Sequence, residues 1–427
     1  MNGDTVFALA SGAGRAAIAI LRISGPDSAA ILTALCGGPP SPRRATLRAL
    51  RDADGGLLDR AMVLWLPGPK SYTGEDSAEL HLHAGRAVID AVADRLAALG
   101  SRPAEPGEFT RRAFLNGKLD LLEAEAVHDL VAAETDAQRR QALRQLEGGL
   151  GELYRDWSGR LRGALARQEA LIDFPDEDLP PEVEAALLGS VGALRCEIAA
   201  HLDDRHRGEK IREGLCFAIT GAPNVGKSSL INALAQREVA IVSASPGTTR
   251  DAIETRIVLG SVPITLVDTA GLRDTSDPIE AEGVRRARAR AASADLVLTV
   301  IEAGSPYDPG TGGLVVANKS DLYPERRADV LAVSALSGAG LPELRARLAA
   351  EATALTRSSG PPPLTRTRHR TALLAAMRWL ADAEDAIEPE LRGESMRIAL
   401  RALGTITGQV GVEDILDSIF REFCIGK

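Results

Sequence analysis

A small-residue loop near the middle of the chain has the residue types and spacing that bind phosphates. Residues 221–228 match the pattern GxxxxGK[ST], with a strand-like run before them and a helical run after them. Small residues let backbone N–H groups close around phosphates, and the helix N-terminus adds positive potential. In such loops the lysine reaches the terminal phosphates and the serine hydroxyl binds Mg²⁺. The sequence therefore predicts a nucleotide-binding loop containing Gly221, Asn224, Val225, Gly226, Lys227, Ser228 and Ser229.

Three further motifs follow in the order that a GTPase requires. Asp268 ends an apolar run in TLVDTAG, where its carboxylate suits Mg²⁺ and the Gly271 amide can sense the γ-phosphate. Asp321 in NKSD can accept both the N1–H and the exocyclic amine of guanine, which selects guanine over adenine. A later loop, SAL, is of the type whose backbone reads the guanine carbonyl. The predicted GTP contacts in these motifs are Asp268, Thr269, Ala270, Gly271, Asn318, Lys319, Asp321, Ser334, Ala335 and Leu336.

The group that catalyses hydrolysis is not the one found in Ras-like proteins. There a glutamine follows DxxG and orients the attacking water, whereas Leu272 holds that position here. The segment AIVSASPGTTRD, residues 240–251, carries two threonines that can reach metal ions and the γ-phosphate. Its proline restricts the preceding serine to extended backbone. The predicted GTP contacts in this segment are Ser243, Ala244, Ser245, Pro246, Gly247, Thr248 and Thr249.

The elements that hold these motifs alternate between strands and helices over residues 214–357, which predicts an α/β domain with a parallel sheet. Only nine residues, 304–312, separate VLTVIEA from GLVVANKSD. A crossover between parallel strands usually contains a helix of that length or more. We therefore expect this crossover helix to be shortened or lost.

The flanking regions predict two other kinds of domain. Residues 1–117 contain short apolar runs broken by Gly and Pro, which indicates an α+β domain. Leucines at steps of three or four predict amphipathic helices in 118–213, and the same texture returns in 358–427 after the Pro-rich connector TRSSGPPPLT. We expect one helical domain built from both segments, with the α/β domain inserted between them; two separate helical domains are the alternative.

Composition excludes several classes of protein. The formal net charge of −9 argues against extensive coating by nucleic acid but leaves room for a local basic patch. The four cysteines are far apart, with no CxxC pair, which argues against disulfide and zinc sites. We expect a soluble cytoplasmic protein, because the N-terminus lacks a signal-like segment and no apolar run reaches about 18 residues. His81 and His83 alternate along a strand pattern and are expected to be structural.

The chain resembles known families at two levels. Its nucleotide domain resembles the translation-factor-related GTPases that use a potassium ion in place of an arginine finger, and Asn224 matches their marker residue. Along its whole length the chain resembles the family of the tRNA modification GTPase MnmE, also called TrmE. The residues that carry this wider resemblance are LRISGP at 21–26, SYTGEDSAEL at 71–80, PGEFTRRAFLNGKLDLLEAEAV at 106–127 and FCIGK at 423–427.

The resemblance implies a multidomain α/β and α+β fold: an N-terminal α+β folate-binding-like domain that also dimerises, a discontinuous helical domain and an inserted P-loop, Ras-like GTPase domain. It implies a homodimer that joins a flavin-dependent partner, MnmG (GidA), in a heterotetramer or larger assembly. This complex would add a carboxymethylaminomethyl-type group to C5 of the wobble uridine, U34, of certain tRNAs. The implied one-carbon donor is 5-formyltetrahydrofolate or a related tetrahydrofolate.

The resemblance also assigns residues. It implies K⁺ ligands at Asn224, Ser243, Ser245 and Thr248, Mg²⁺ ligands at Ser228 and Thr249, and a water-positioning role for Glu280. Folate contacts would be Arg22, Glu79, Lys118 and Lys427. Cys424 matches a near-terminal cysteine proposed to act in the tRNA chemistry, although a small buried hydrophobe is an equal alternative.

Two interpretations remain open at this stage. The basic run RTRHR at 366–370 could touch tRNA, but charge runs beside connectors usually have no such specific role. The alternative function is a ribosome-assembly GTPase switch, which would require an RNA-binding domain such as a KH fold after the GTPase domain.

Overall fold

Two six-stranded sheets organise the part of the chain that the structure describes. The computed structural model describes residues 3–12, 14–173, 181–236, 254–268, 292–305, 313–323, 330–357, 362–410 and 413–426. The chain divides into two compact units. The first comprises residues 1–128, 145–187 and 382–427, and the second comprises residues 129–144 and 188–381.

The strands and helices are numbered separately in chain order. The strands are β1 (Val6–Leu9), β2 (Ile18–Ser24), β3 (Thr46–Arg51), β4 (Leu57–Leu66), β5 (Ser77–His83), β6 (Arg102–Pro103), β7 (Leu215–Thr220), β8 (Glu254–Leu259), β9 (Val262–Asp268), β10 (Leu296–Glu302), β11 (Leu314–Asn318) and β12 (Leu331–Ala332). The helices are α1 (Ser28–Cys36), α2 (Arg86–Ala98), α3 (Glu108–Leu115), α4 (Leu121–Ala132), α5 (Asp136–Leu146), α6 (Gly149–Asp173), α7 (Pro181–Leu202), α8 (Arg207–Glu213), α9 (Lys227–Gln236), α10 (Leu341–Thr356), α11 (Thr367–Asp385), α12 (Pro389–Thr407) and α13 (Glu413–Arg421).

The sheet of the first unit has the order β3-β4-β5-β2-β1-β6 and is mainly antiparallel. Side chains alternate between its faces, because successive residues of a strand point in opposite directions. One face packs apolar residues such as Leu21 and Leu80 against Ile31 and Leu96 of the helices. Arg22 and Glu79 are paired across β2 and β5 at the alternate positions, so both face away from this core.

Helices from before and after the nucleotide motifs pack together within the first unit. Helix α6 packs along α12, with Trp157 and Tyr154 of α6 fully buried. The amide of Gln168 donates to the Pro389 carbonyl at 3.0 Å. Proline at the start of α12 and the left-handed Gly408 at its end match the usual helix boundaries. The predicted helical segments are thus joined by direct contacts.

The sheet of the second unit has the order β12-β11-β10-β7-β9-β8. Its strands are parallel except for β8, which pairs antiparallel with β9 through a tight turn at Gly260 and Ser261. The apolar strand residues pack against α9 and α10, as expected for an α/β sheet. The parallel strands β10 and β11 lie side by side. The expectation that the crossover helix between them is shortened or lost concerns residues 306–312, which lie outside the described part of the chain.

Two largely buried aspartates hold the chain where it enters and leaves the nucleotide domain. Asp204 accepts hydrogen bonds from Arg370 at 2.6 Å and from the backbone N–H of Leu364 at 3.3 Å. Asp129 accepts from Arg212 at 3.1 Å and from Arg366 at 2.8 Å. We call this set of residues the domain root. Arg366 and Arg370 of the basic run therefore form internal ion pairs.

Membrane-spanning helices are not found in the described ranges, where every helix is too short or too polar to cross a bilayer.

Candidate nucleotide-binding site

The phosphate loop lies between the end of β7 at Thr220 and the start of α9 at Lys227. Gly221 has φ of 142°, and a Cβ there would lie 2.1 Å from the Val300 carbonyl oxygen. Gly226 has φ of 92°, and a Cβ there would lie 2.4 Å from Nδ2 of Asn318. Both positions therefore require glycine for backbone and for space. Asn224 also has a left-handed φ, of 62°, a conformation that asparagine tolerates better than most residues.

The ammonium of Lys227 points into this loop. Lys227 is 5% exposed, and its Nζ donates to the carbonyl oxygens of Gly221 at 2.9 Å and Ala222 at 2.8 Å. A buried positive charge held by backbone carbonyls at a helix N-terminus creates strong potential for an anion. The geometry fits the predicted role of Lys227 toward phosphates.

Two oxygen groups lie side by side next to the loop. The hydroxyl of Ser228 donates to Oδ2 of Asp268 at 2.6 Å, and Asp268 is 6% exposed. Asp268 reaches this place because β9 pairs with β7 in parallel, with Asp268 opposite Ile219. Hydroxyl and carboxylate oxygens are ligands that Mg²⁺ prefers, so Ser228 and Asp268 fit that ion.

Asn318 ties three loops of the site together. Its Nδ2 donates to the Val225 carbonyl at 2.8 Å, and its Oδ1 accepts from the Ala335 N–H at 3.1 Å. Asn318 is 2% exposed, so both contacts are protected from water. The structure thereby brings the phosphate loop, the NKSD loop and the SAL loop to one edge of the sheet. Asp321 and Leu336 lie exposed at this edge.

Two residues of this edge were missed by the sequence reasoning. Oε1 of Glu302 accepts hydrogen bonds from Nζ of Lys319 at 3.2 Å and from Oη of Tyr323 at 3.0 Å. These bonds, first that of Lys319, lower the pKa of the Glu302 carboxyl. The same carboxylate raises the pKa of the Tyr323 hydroxyl. The sequence signal that could have found Glu302 is an acidic residue at the end of the strand that precedes NKSD. Neighbouring parallel strands end at the same edge of a sheet, so this residue had to lie near the NKSD loop.

Several predicted site residues lie outside the described part of the chain, so their place in the site stays a prediction. They are Ser243, Ala244, Ser245, Pro246, Gly247, Thr248, Thr249, Thr269, Ala270, Gly271, Glu280 and Lys427.

A second cluster of predicted residues lies on the face of the first sheet opposite the core that contains Leu21 and Leu80. Arg22 donates to Glu79 at 3.0 Å, and His81 contacts the other carboxylate oxygen of Glu79 at 3.4 Å. The Arg22 guanidinium also lies over the rings of Tyr72 and Phe109, at 5.5 Å and 5.6 Å from their centroids. The structure thus brings Arg22 and Glu79 into direct contact, and their role toward a folate stays a prediction. Their charges offer polar contacts and the partly exposed Tyr72 ring offers a stacking contact to a flat heterocycle, whereas the Phe109 ring is fully buried.

The other predicted residues of this cluster have separate positions. Lys118 donates from Nζ to the Pro69 carbonyl at 3.0 Å, on the loop after β4. Cys424 is exposed, which argues against the buried-hydrophobe alternative, and its carbonyl accepts from the Gly107 N–H at 3.4 Å. Gly426 lies against β1, because a Cβ there would be 2.2 Å from the Leu9 carbonyl oxygen. The last described residues therefore dock beside β1, which pairs with the strand that carries Arg22.

Comparison with known proteins extends over the whole chain. Residues 5–118 match the family "GTP-binding protein TrmE N-terminus" and residues 121–424 match the family "MnmE helical domain". The second match includes helices on both sides of the nucleotide domain, as expected for one helical domain in two segments. The predicted multidomain fold class is confirmed.

Curated relatives give the same result at high identity. The chain is 61% identical over 428 residues to the tRNA modification GTPase MnmE of Gluconacetobacter diazotrophicus, with 99% of this chain and 98% of the relative covered. It is 57% identical over 440 residues to the protein of that name from Granulibacter bethesdensis, with both chains fully covered. It is 55% identical over 456 residues to the one from Rhodospirillum rubrum, again with both chains fully covered.

Proposed function

We propose, from the premise that this chain belongs to the family of the tRNA modification GTPase MnmE, that it hydrolyses GTP as part of a tRNA modification reaction. The observation that carries the proposal is the position of Asn318, which joins the phosphate loop to the guanine-reading loops through Val225 and Ala335. One side chain thereby couples recognition of the base to the shape of the phosphate site. The product would be a carboxymethylaminomethyl-type group on C5 of the wobble uridine, made with a flavin-dependent partner of the MnmG type.

The residues of the nucleotide site have distinct roles in this proposal. Lys227 and the backbone N–H groups of the phosphate loop bind the β- and γ-phosphates. Ser228, Asp268 and Thr249 hold Mg²⁺, which neutralises charge on the phosphate oxygens when bound. Asp321 reads the guanine edge, and its exposed carboxylate is open to the base. Glu280 positions the attacking water, because Leu272 has no group that could do so.

A potassium ion would supply transition-state charge stabilisation when held by Asn224 and the 243–248 segment. We expect replacement of K⁺ by Na⁺ to lower the rate of GTP hydrolysis at least about tenfold, while GTP affinity stays the same. The reason is that an electrostatic group aimed at developing charge acts on the transition state more than on the ground state. Single-turnover hydrolysis and nucleotide titration in the two salts measure this, and equal rates in both salts would contradict the role of potassium.

Glu280→Ala should likewise lower kcat for GTP hydrolysis without changing the affinity for GTP.

The Arg22–Glu79 cluster is the proposed binding site for a tetrahydrofolate. Glu79 would accept from the donor edge of the pterin, with Arg22 beside it at the same end of the ligand, and the cations Lys118 and Lys427 would bind carboxylates of the glutamate tail. Tyr72, which is partly exposed, adds a flat surface against which a ring can stack, while the fully buried Phe109 packs beside the Arg22 guanidinium. Burial raises the pKa of the Tyr72 hydroxyl, so this ring stays neutral at physiological pH.

Glu79→Gln is expected to weaken binding of 5-formyltetrahydrofolate roughly 10- to 100-fold. A hydrogen bond to a charged group contributes about 1.5 to 3 kcal/mol, and the variant keeps the size of the side chain while removing its charge. Calorimetric titration of the folate measures this. Asp90→Asn is the matched control, because Asp90 loses an exposed ion pair with Arg86 on α2. Equal affinities in Glu79→Gln and wild type would remove Glu79 from the site.

The modification itself is tested by reconstitution. Purified protein, its flavin-dependent partner, substrate tRNA, GTP, K⁺ and a tetrahydrofolate donor are combined, and nucleosides of the tRNA are analysed by mass spectrometry. We expect a modified wobble uridine with wild type and an unmodified one with Lys227→Ala. An unmodified uridine with the wild-type protein would contradict the proposal. The homodimer and the cytoplasmic location stay predictions. The ribosome-assembly alternative also stays a prediction, and nothing in the described helices after the nucleotide domain favours it.

A further inference from the structure

Glu302 lies at the sheet edge where guanine would be read. Strands β10 and β11 are parallel and in register, with Glu302 opposite Asn318. The next backbone group continues the pairing, because the Ala303 N–H donates to the Asn318 carbonyl at 2.9 Å. The carboxylate of Glu302 is therefore fixed beside the NKSD loop by the backbone of two strands.

Lys319 holds an unusual conformation beside this carboxylate. Its φ is 62°, in the left-handed region that a residue with a long side chain rarely adopts. The turn that follows is closed by the Leu322 N–H, which donates to the Lys319 carbonyl at 3.0 Å. The side chain is held by Glu302, whose Oε1 accepts from the ammonium at 3.2 Å. Such a conformation persists only where the surrounding contacts fix it.

Tyr323 completes the arrangement from the other side. Its Oη donates to the same Oε1 of Glu302 at 3.0 Å, so one oxygen receives both donors. The ring has space only because residue 304 is glycine, since a Cβ there would lie 2.4 Å from Cε1 of Tyr323. Gly304, in the sequence EAGS at 302–305, thus leaves space for Tyr323, which follows the NKSD motif.

The contact contributes little as a stability device. The side chains of Lys319 and Glu302 are 31% and 33% exposed, and ion pairs at such positions add little to folding free energy. Its location suggests another effect. Lys319 lies between Asn318, which ties the loops together, and Asp321, whose exposed carboxylate would meet the base. A lysine fixed there before binding removes the entropy cost of ordering its long side chain when the nucleotide arrives.

We propose that Glu302 and Tyr323 are positioning residues of the guanine site, which hold Lys319 in place and so increase affinity for guanine nucleotides. This inference rests on the proposed function of the site as a GTP site. It adds to that function two residues that act through Lys319 rather than by touching the nucleotide.

Glu302→Gln and Tyr323→Phe test the proposal. Each is expected to raise the dissociation constants of GDP and GTP roughly 3- to 10-fold, the cost of immobilising one long side chain on binding. Titration of the full chain with fluorescent GDP and GTP measures this. Glu351→Gln is the matched control, since Glu351 loses a comparable ion pair with Arg347 on α10. We expect the control to bind like wild type.

A double-mutant cycle separates positioning from a structural role. In a Lys319→Ala background, Glu302→Gln is expected to have no further effect on affinity, and the unfolding midpoint of the nucleotide-free protein is expected to be unchanged. Unchanged affinity in both single variants, an additive effect in the Lys319→Ala background, or an equal loss of nucleotide-free stability would each overturn the inference. Failure of the wild-type protein to bind GDP and GTP would instead overturn the proposed function.

Discussion

Gly226→Ala is expected to lower affinity for GTP and GDP on the order of 100-fold or more. The φ of 92° at this position is strained for alanine, and its Cβ would lie 2.4 Å from Nδ2 of Asn318. The strain costs about 1 to 3 kcal/mol, and loss of the buried bond from Asn318 to Val225 costs about 1 to 3 kcal/mol more. Each 1.4 kcal/mol is tenfold in affinity. One methyl group thus disturbs the phosphate end and the guanine end together.

Titration calorimetry with GDP and GTP measures the loss of affinity. Gly163→Ala in α6 is the control, because a Cβ there meets nothing within 4 Å and its backbone is helical. The control should keep wild-type affinity and gain a little helix stability. If Gly226→Ala bound both nucleotides like wild type, the phosphate loop and Asn318 would not be coupled as described.

Asp204→Ala is expected to reduce the free energy of unfolding of the nucleotide domain by about 3 to 5 kcal/mol, the usual cost of removing one partner of a buried ion pair. The side chains of Asp204 and Arg370 are 12% and 13% exposed, so the variant leaves a largely buried guanidinium without its carboxylate. Two backbone donors, the N–H groups of His206 and Leu364, lose their acceptor as well.

Scanning calorimetry measures this effect in the unfolding transition that moves to higher temperature when GDP is added, since that transition contains the nucleotide domain. Asp136→Ala is the control. Asp136 also pairs with two arginines, Arg139 and Arg140, but its side chain is 46% exposed, so the expected loss is much smaller than for Asp204→Ala. Equal shifts in the two variants would show that the domain root adds no more than a surface ion pair.

The parts of the site that the sequence predicts are those whose requirements are local. Gly221, Gly226, Lys227 and Ser228 serve one turn and one helix end, and their spacing is fixed by that short piece of backbone. The structure confirms the strand, loop and helix around them. The antiparallel β8 at the sheet edge was not specified in advance, because it depends on a turn rather than on a motif.

Contacts between distant positions could not be predicted in the same way. Asn318 and Val225 are 93 positions apart, and Arg366 finds Asp129 across 237 positions. A charge run beside a Pro-rich connector has the same letters whether it is solvated or buried, and only the folded chain decides between the two. Glu302 was missed for a related reason, since its partner is a lysine 17 positions later, in the loop that follows the neighbouring strand.

The domain root also bears on how such a chain can be assembled from modules. Asp204 and Arg370 are 166 positions apart in sequence, yet their side chains meet at 2.6 Å. Because the two ends of this stretch lie next to each other, the rest of the chain would keep its geometry if another domain with adjacent ends replaced it. The entropy cost of closing the inserted stretch changes only slowly with its length. The nucleotide domain thus has the geometry of a module that could be transferred as one unit. New chain ends made by circular permutation at the domain root would lie side by side.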